Sequence, residues 1–103
     1  MYTITKPYRK MWSNEVVLNN AADLQTRGRI DVTSGIGGPA RFLRILSNIN
    51  GTLFLVKKGD ATEIQIHHLV IANVAIRIYD EDVERFRVEP TAYPVTIQYT
   101  CSR

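Results

Sequence analysis

Apolar and polar residues alternate along most of the chain, most clearly in the segment 41–59 (RFLRILSNINGTLFLVKKG). Alternation with a period of two is typical of β-strands, because successive side chains point to opposite faces of a sheet. Asn50-Gly51 separates two apolar runs, and both residues tolerate the positive φ angles of a tight hairpin turn. The segment therefore predicts a β-hairpin that turns at Asn50-Gly51.

Both arms of this predicted hairpin carry apolar side chains on both faces. In the first arm, alternation places Leu43 and Ile45 on one face and Phe42 and Leu46 on the other. In the second arm, it places Leu53 and Leu55 opposite Phe54 and Val56. A strand that is apolar on both faces needs a cover on each side. We therefore expect one face to form the core and the other to contact a partner.

Similar alternation continues through the rest of the chain, with turn-forming residues between the runs. Outside the hairpin, the predicted strands are 2–5, 15–19, 24–32, 63–70, 74–79, 85–89 and 95–101. A helical turn at 20–25 is an alternative, although the alternation from Arg27 onward favours a strand. About eight or nine short strands predict an all-β fold, a single antiparallel β-sandwich or jelly roll. We expect residues 15–103 to form it, and residues 1–14 to form an N-terminal arm that docks on a neighbour.

Length and composition restrict the class of protein. A chain of 103 residues is long enough for one domain, and its 45% hydrophobic content is typical of a globular protein. No apolar run approaches the roughly 18 residues of a membrane span, and the basic N-terminus lacks the apolar stretch of a secretory signal. A single cysteine cannot form a disulfide within the chain. We expect synthesis in a reducing cytoplasm and no membrane contact.

Basic and acidic residues are unevenly distributed. Residues 1–59 carry nine Lys and Arg against three Asp and Glu, a net charge of +6, whereas residues 60–103 carry four against seven, a net charge of −3. This division is typical of a protein whose basic half contacts the acidic half of a neighbouring copy. Simple solvation explains it equally well, and a basic patch for nucleic acid is a weaker interpretation.

Two features resemble sites for a metal ion or a phosphate, and both favour a structural role. His67 and His68 are adjacent on a predicted strand, so their rings point to opposite faces and cannot share one ion without a bulge. The glycine-rich segment 35–39 lacks the Gly-Lys-Ser/Thr ending of a phosphate-binding loop and precedes a strand rather than a helix. We therefore expect no metal site at the histidines and a simple connection at the glycines.

The acidic segment Asp80-Glu81-Asp82 and the thiol of Cys101 are the remaining chemical candidates. Calcium needs several oxygen ligands around one point, and no EF-hand glycine follows these acids, so a solvated turn whose acids pair with interface cations is favoured. Alternation places Cys101 on the inward face of the last strand, with a disulfide between chains as the alternative. We expect no catalytic residue, no cofactor and no metal.

The segment 6–12 (KPYRKMW) mixes cations with aromatic residues. Trp, Tyr, Met and Arg are enriched in the cores of protein interfaces, so the segment is typical of an arm that docks on a neighbouring subunit. The same composition suits single-stranded nucleic acid, whose bases stack on aromatic rings while its phosphates contact cations. We favour the docking arm.

One part of the chain resembles a known class of protein. The residues are Arg41-Phe42-Leu43-Arg44-Ile45, then Asn48 and Asn50-Gly51-Thr52, then Leu53-Phe54-Leu55-Val56 and Gly59. This pattern resembles a hairpin of small accessory structural proteins of tailed-phage virions, although Glu89–Pro94 replaces the proline-glycine turn expected before the last strands. The resemblance implies a protein that decorates a capsid or forms part of a collar, tail or fibre attachment, and that acts by binding.

Our first functional hypothesis is therefore a non-enzymatic virion component, made in the host cytoplasm, that binds a capsid or tail surface as an oligomer. Its partners would be other virion proteins and copies of itself. The predicted interface residues are Tyr8, Trp12, Arg27, Arg29, Phe54 and Val56. The alternative is a nucleic-acid-binding β module that uses cations of the basic half, namely Lys6, Arg9, Lys10, Arg27 and Arg29. Carbohydrate binding by exposed aromatic residues is a third hypothesis, which no residue pattern selects.

Overall fold

Strands dominate the described residues, with two short helices between the first and third strands. A computed structural model describes residues 10–59 and 64–103, and of residues 64–69 it describes the backbone only. In chain order the elements are β1 (Met11–Leu18), α1 (Ala21–Arg27), β2 (Ile30–Asp31), α2 (Thr33–Ile36), β3 (Ala40–Ser47), β4 (Gly51–Lys57), β5 (Ile64–Val70), β6 (Ile76–Pro90) and β7 (Val95–Ser102).

Six of these strands form one antiparallel sheet in the order β1-β7-β3-β6-β4-β5, and the sheet is curled as a half-barrel. The short strand β2 pairs with β6 outside this path. The prediction of a mostly β, antiparallel chain is confirmed. The sandwich or jelly roll of eight or nine strands is not confirmed, because the described strands belong to a single sheet.

The N-terminal strand starts earlier than the alternation predicts. β1 begins at Met11, within the predicted arm of residues 1–14, and pairs with β7 along its whole length. The predicted strand 15–19 corresponds to the C-terminal half of β1. Residues 1–9 lie outside the described part of the chain, and so does the predicted strand 2–5.

The predicted hairpin at Asn50-Gly51 is wrong. The strands that these residues join, β3 and β4, are not neighbours, because β6 lies between them in the sheet. Neither Asn50 nor Gly51 adopts a positive φ. Gly51 is needed for another reason: a Cβ at this position would lie 2.4 Å from the carbonyl oxygen of Glu89. The glycine therefore permits close approach of β4 to β6 rather than a tight turn.

Two asparagines fix the connection between β3 and β4. The Asn48 side chain accepts a hydrogen bond from the Thr96 N–H at 2.8 Å, and the Asn48 N–H donates to the Thr96 carbonyl at 3.2 Å. The Asn50 side chain accepts from the Ala72 N–H at 2.7 Å, while its carbonyl accepts from the Thr91 N–H at 2.8 Å. The asparagine side chains thus replace backbone partners where the ladders end.

β6 is one bulged strand of 15 residues, where the sequence predicts two strands, 74–79 and 85–89, separated by an acidic turn. Asp80 and Asp82 lie inside it with φ values of 58° and 50°. Aspartate tolerates this left-handed conformation better than most residues, and the extra residues shift the register against β3. The first part of β6 pairs with β3 and the last part with β4, so β6 joins the two halves of the sheet.

The predicted strand 24–32 is also wrong, and the helical alternative is correct. The Asn20 side chain accepts a hydrogen bond from the Asp23 N–H at 3.0 Å, and the Asp23 carboxylate accepts from the Asn19 N–H at 2.9 Å. This reciprocal arrangement is close to a capping box and starts α1 despite the alternation that follows. Both helices are short, and no helix among the described residues is long and apolar enough to cross a bilayer.

The core lies on the predicted inward face of β3 and β4. Four residues there are at most 1% exposed: Leu43, Ile45, Leu53 and Leu55. β6 adds Phe86 and Val88 to the same cluster, and β7 adds Val95, Ile97, Tyr99 and Cys101. α1 contributes Leu24 and α2 contributes Ile36, so the helices cover part of this face.

Candidate binding face

We call the side of the sheet opposite the core the outer face. Other parts of the described chain cover it only partly. Its members, assigned by strand alternation and register, include Met11, Ser13, Glu15 and Val17 of β1, Phe42, Arg44 and Leu46 of β3, Thr52, Phe54 and Val56 of β4, Arg77, Tyr79, Arg85, Arg87 and Glu89 of β6, and Thr96, Gln98 and Thr100 of β7. Most of these side chains retain solvent-accessible surface. The outer face is therefore the broadest candidate for binding that the described residues offer.

A basic row crosses the middle of the outer face. Arg44 of β3 lies directly opposite Arg77 of β6, and on its other side it lies opposite Thr100 of β7, which faces Ser13 of β1. The Ser13 and Thr100 hydroxyls are 3.0 Å apart. Within the described part of the chain, neither arginine side chain forms an ion pair or a hydrogen bond. Like charges in directly opposite positions destabilise a sheet, so this row gains stability from an anion.

An aromatic pair borders the basic row. Phe42 lies opposite Tyr79, two residues along the strands from the Arg44–Arg77 pair. The centroids of the two rings are 5.2 Å apart, and the angle between the ring planes is 43°. The Tyr79 side chain is 56% exposed. Phe42 therefore supports Tyr79 from one side while much of the tyrosine ring remains open to solvent.

A contact between an aromatic ring and an arginine lies on the other half of the outer face. The guanidinium carbon of Arg87 sits 4.2 Å from the centre of the Phe54 ring, and Arg87 also forms an ion pair with Glu89 at 3.0 Å. Phe54 is half-buried, so the cation covers part of its ring. The neighbouring predicted interface residue Val56 is 4% exposed and offers almost no surface.

The structure disperses the remaining predicted interface residues. Trp12 is 45% exposed at the edge of the core face, where its ring packs so closely on Gly35 that a Cβ there would lie 2.6 Å from the indole. Arg27 attaches α1 to β1 by donating to the Val17 carbonyl at 2.7 Å. Arg29 is exposed beyond the end of α1. Tyr8 lies outside the described residues.

The acidic residues of β6 have partners within the chain. Asp80 accepts a hydrogen bond from Arg41 at 3.2 Å, and the Glu81 carboxylate lies 2.5 Å from the Lys57 ammonium. Asp82 lies 4.0 Å from Arg41 as well. The predicted acidic turn is thus a bulge whose carboxylates pair with adjacent strands of the same molecule, including the predicted partner Lys57.

The glycine-rich segment 35–39 forms the end of α2 and the link to β3. Gly37 has a φ of 76° and ends the helix, and its carbonyl accepts a hydrogen bond from the Arg103 guanidinium at 2.8 Å. This pattern is a helix C-cap. The sequence predicts a simple connection here and no helix, so α2 is a difference from that prediction. The side chains of His67 and His68 lie outside the described part of β5, so the prediction about a metal there stays a prediction.

Cys101 is fully buried on the core face, as alternation predicts. Desolvation by burial raises the pKa of its thiol from 9.0 to about 11. The thiolate, which is the reactive form, is therefore rare at neutral pH. A disulfide between chains would require the end of β7 to leave the sheet.

Sequence reasoning identified Phe54 but not Arg44, Arg77 or Tyr79 as members of one surface. Alternation could place each of them on a strand face. Their proximity depends on the pairing of β3 with β6, which only the register reveals. Comparison with known proteins adds no further residue, because no protein-family model, no curated protein and no solved structure matches this chain.

Proposed function

We propose that this protein is a non-enzymatic structural component of a tailed-phage virion that binds a capsid or tail surface as an oligomer. Its binding surface is the Phe54 side of the outer face, assisted by the N-terminal arm. The virion assignment rests on the resemblance of residues 41–59 in sequence alone, since β6 separates the two strands of this segment, and the mode of action rests on the fold. The layer that would complete a sandwich is supplied, in this proposal, by a neighbouring subunit or a second copy.

The observation that carries the proposal is the unequal cover of the two faces of β4. Leu53 and Leu55 are fully buried in the core, while Phe54 between them remains half-buried under a single guanidinium group. Partly exposed aromatic residues that lie beside arginine are typical centres of protein interfaces. A partner that covers Phe54 would remove both the ring and its cation from water.

The N-terminal part of the sheet supplies a second contact in this proposal. Met11 is 64% exposed and Trp12 is 45% exposed at the start of edge strand β1. Exposed apolar residues at the end of an edge strand favour contact with another chain. The residues that precede β1, including Tyr8, would extend this contact.

The test is the native mass of the full chain, measured by light scattering after size exclusion at low and high salt. Wild-type protein is expected to form an oligomer that persists at high salt, because apolar contacts are not screened. Phe54→Asp is expected to shift the mass toward the monomer. Folding should survive, because the introduced carboxylate would face Arg87, its cross-strand neighbour.

Gln25→Glu provides the control, since it adds the same negative charge at an exposed position of α1, remote from the outer face. It should leave the native mass unchanged. Equal loss of the folded state and of the oligomer in Phe54→Asp would place Phe54 in the core and contradict the proposal. A wild-type monomer at every concentration and salt would contradict it as well.

The second candidate function is nucleic-acid binding, and the structure changes the residues that would perform it. Arg27, one of the predicted cations, is engaged with the Val17 carbonyl and with Asp23 at 3.4 Å. Lys6 and Arg9 lie outside the described residues. A different set of cations lies together on the outer face, and this observation favours the function in another form.

A further inference from the structure

We infer that the basic row and Tyr79 on the outer face form a binding site for single-stranded nucleic acid. This inference goes beyond the proposed assembly function and does not use Phe54, on which that function depends. The site consists of Arg44, Arg77, Tyr79 and the hydroxyls of Ser13 and Thr100. Four adjacent strands present it, so the row spans roughly 14 Å at about 4.8 Å per strand.

The distribution of ion pairs shows that the outer face needs an anion from outside the chain. Most described acids of β6 form ion pairs with basic residues of the same molecule: Asp80 and Asp82 with Arg41, Glu81 with Lys57, and Glu89 with Arg87. Glu84 instead accepts a hydrogen bond from the Gly59 N–H. Arg44 and Arg77 have no such partner among the described residues, and both are at least partly exposed. The charge of an external polyanion complements these two cations.

The aromatic pair distinguishes nucleic acid from other polyanions. Tyr79 presents an open ring two residues from Arg77 on the same strand, and the cross-strand Phe42 contacts the ring from one side. Bases stack on such rings, while arginine and hydroxyl groups contact the phosphates. An acidic protein segment would use the arginines but would gain nothing from the exposed ring.

The exposed tyrosine on a strand face favours a single strand over a duplex. Stacking on Tyr79 requires an unpaired base, because bases inside a duplex are already stacked on one another. The site is a strand face without an inserted helix or ribbon that could enter a major groove. We therefore expect little dependence on base sequence and a strong dependence on salt.

Fluorescence anisotropy with labelled oligothymidylate tests the inference on the full chain. The wild-type affinity is expected to fall between about 50 and 200 mM salt, and Arg44→Gln should weaken binding and reduce the log–log salt slope by about 0.7, the value for one lost phosphate contact. Lys58→Gln, which removes the same charge from an exposed residue at the end of β4, should leave the slope unchanged.

Two variants of Tyr79 separate stacking from charge. Tyr79→Leu should weaken binding at least about fivefold, whereas Tyr79→Phe, which keeps the ring, should bind nearly as well as wild type. Circular dichroism and the native mass of each variant confirm that folding and assembly are intact. Since Phe54 is untouched, failure of the assembly proposal and failure of this inference give different results.

Three outcomes would overturn the inference. The first is binding that does not change with salt, and the second is equal weakening by Lys58→Gln and Arg44→Gln. The third is unchanged binding in Tyr79→Leu together with equally tight binding of labelled polyglutamate, which would identify an acidic protein as the ligand instead.

Discussion

The two faces of β4 have the same backbone and similar apolar residues, yet they have different surroundings. Leu53 and Leu55 are completely buried by strands and helices of the same chain, while Phe54 between them keeps part of its surface. The difference arises from what packs on each face rather than from residue type. Alternation in the sequence therefore reports the pleat of a strand, and the topology decides which face becomes the core.

The faces also differ in charge. The buried core cluster contains the Cys101 thiol and the Tyr99 phenol but none of the described charged side chains, whereas the outer face carries Arg44, Arg77, Arg85 and Arg87. Like charges are held together on the outer face at a cost in stability. Natural sheets tolerate such a cost where the residues serve binding, which is the role that we propose for this face.

The largest expected effect comes from truncating one residue on each face. Leu55→Ala should lower the free energy of unfolding by about 2–5 kcal/mol, because it leaves a cavity in the core. Phe54→Ala should lower it by about 1–2 kcal/mol, since a half-buried ring and one cation contact are lost. Urea unfolding of dilute protein, followed by circular dichroism, measures both. Equal losses would show that the faces do not differ in cover.

An intermediate effect is expected from thiols placed on the two faces. Raising the pKa from 9.0 to about 11 lowers the thiolate fraction of Cys101 about a hundredfold near pH 8, so alkylation of the native protein should be slower than in urea by at least that factor. A thiol introduced by Thr100→Cys in a Cys101→Ala background should react rapidly from the outer face. Similar rates for the two thiols would contradict the assignment of faces.

The same pKa shift predicts the direction of a pH effect on stability. The folded-state pKa of Cys101 lies above the ordinary value, so ionisation favours the unfolded chain. The contribution to stability is fully present below about pH 9 and is lost as the pH rises through about 11. Cys101→Ala should flatten this part of the pH profile of the unfolding midpoint, and an unchanged profile would assign the loss to another group.

The smallest expected effect concerns the arginine row. Arg77→Gln should raise the free energy of unfolding by about 0.2–1 kcal/mol in the absence of ligand, because it removes repulsion from Arg44. Arg41→Gln should act in the opposite direction by a few tenths of a kcal/mol, roughly the worth of its exposed pair with Asp80. Thermal unfolding under low salt compares the two. A decrease with Arg77→Gln would show that Arg77 has a structural role.

Local patterns predicted part of the fold and missed the rest for identifiable reasons. The alternation at 63–70 and 95–101 agrees with the positions of β5 and β7. β7 pairs with β1 over its whole length, and β5 pairs with β4 except at an irregularity around residues 67 and 68. Asn50-Gly51 does not form the turn that its residue types predict. The Asn50 side chain instead accepts a hydrogen bond, and Gly51 permits a close approach of two backbones. The sequence predicts two strands where the structure has the single strand β6, because no local sequence pattern indicates a left-handed Asp80 inside a strand.

The candidate site was less predictable than the fold. Alternation alone placed Phe54 on the face opposite Leu53 and Leu55, and the structure leaves it half-buried there. Arg44 and Arg77 are far apart in the sequence, and their alignment depends on the register between β3 and β6 after a bulge. No local pattern contains that register, so the arginine row could not be derived before the sheet was known.

The most direct test of the central claim, that the outer face binds while the opposite face forms the core, is oxidative footprinting by mass spectrometry. Oxidation of Phe54 should fall as the protein concentration rises, and oxidation of Tyr79 should fall when oligothymidylate is added. Trp12, at the edge of the core face, provides an internal reference for oxidant dose in the nucleic-acid titration. Unchanged oxidation of both Phe54 and Tyr79 under these conditions would contradict the account.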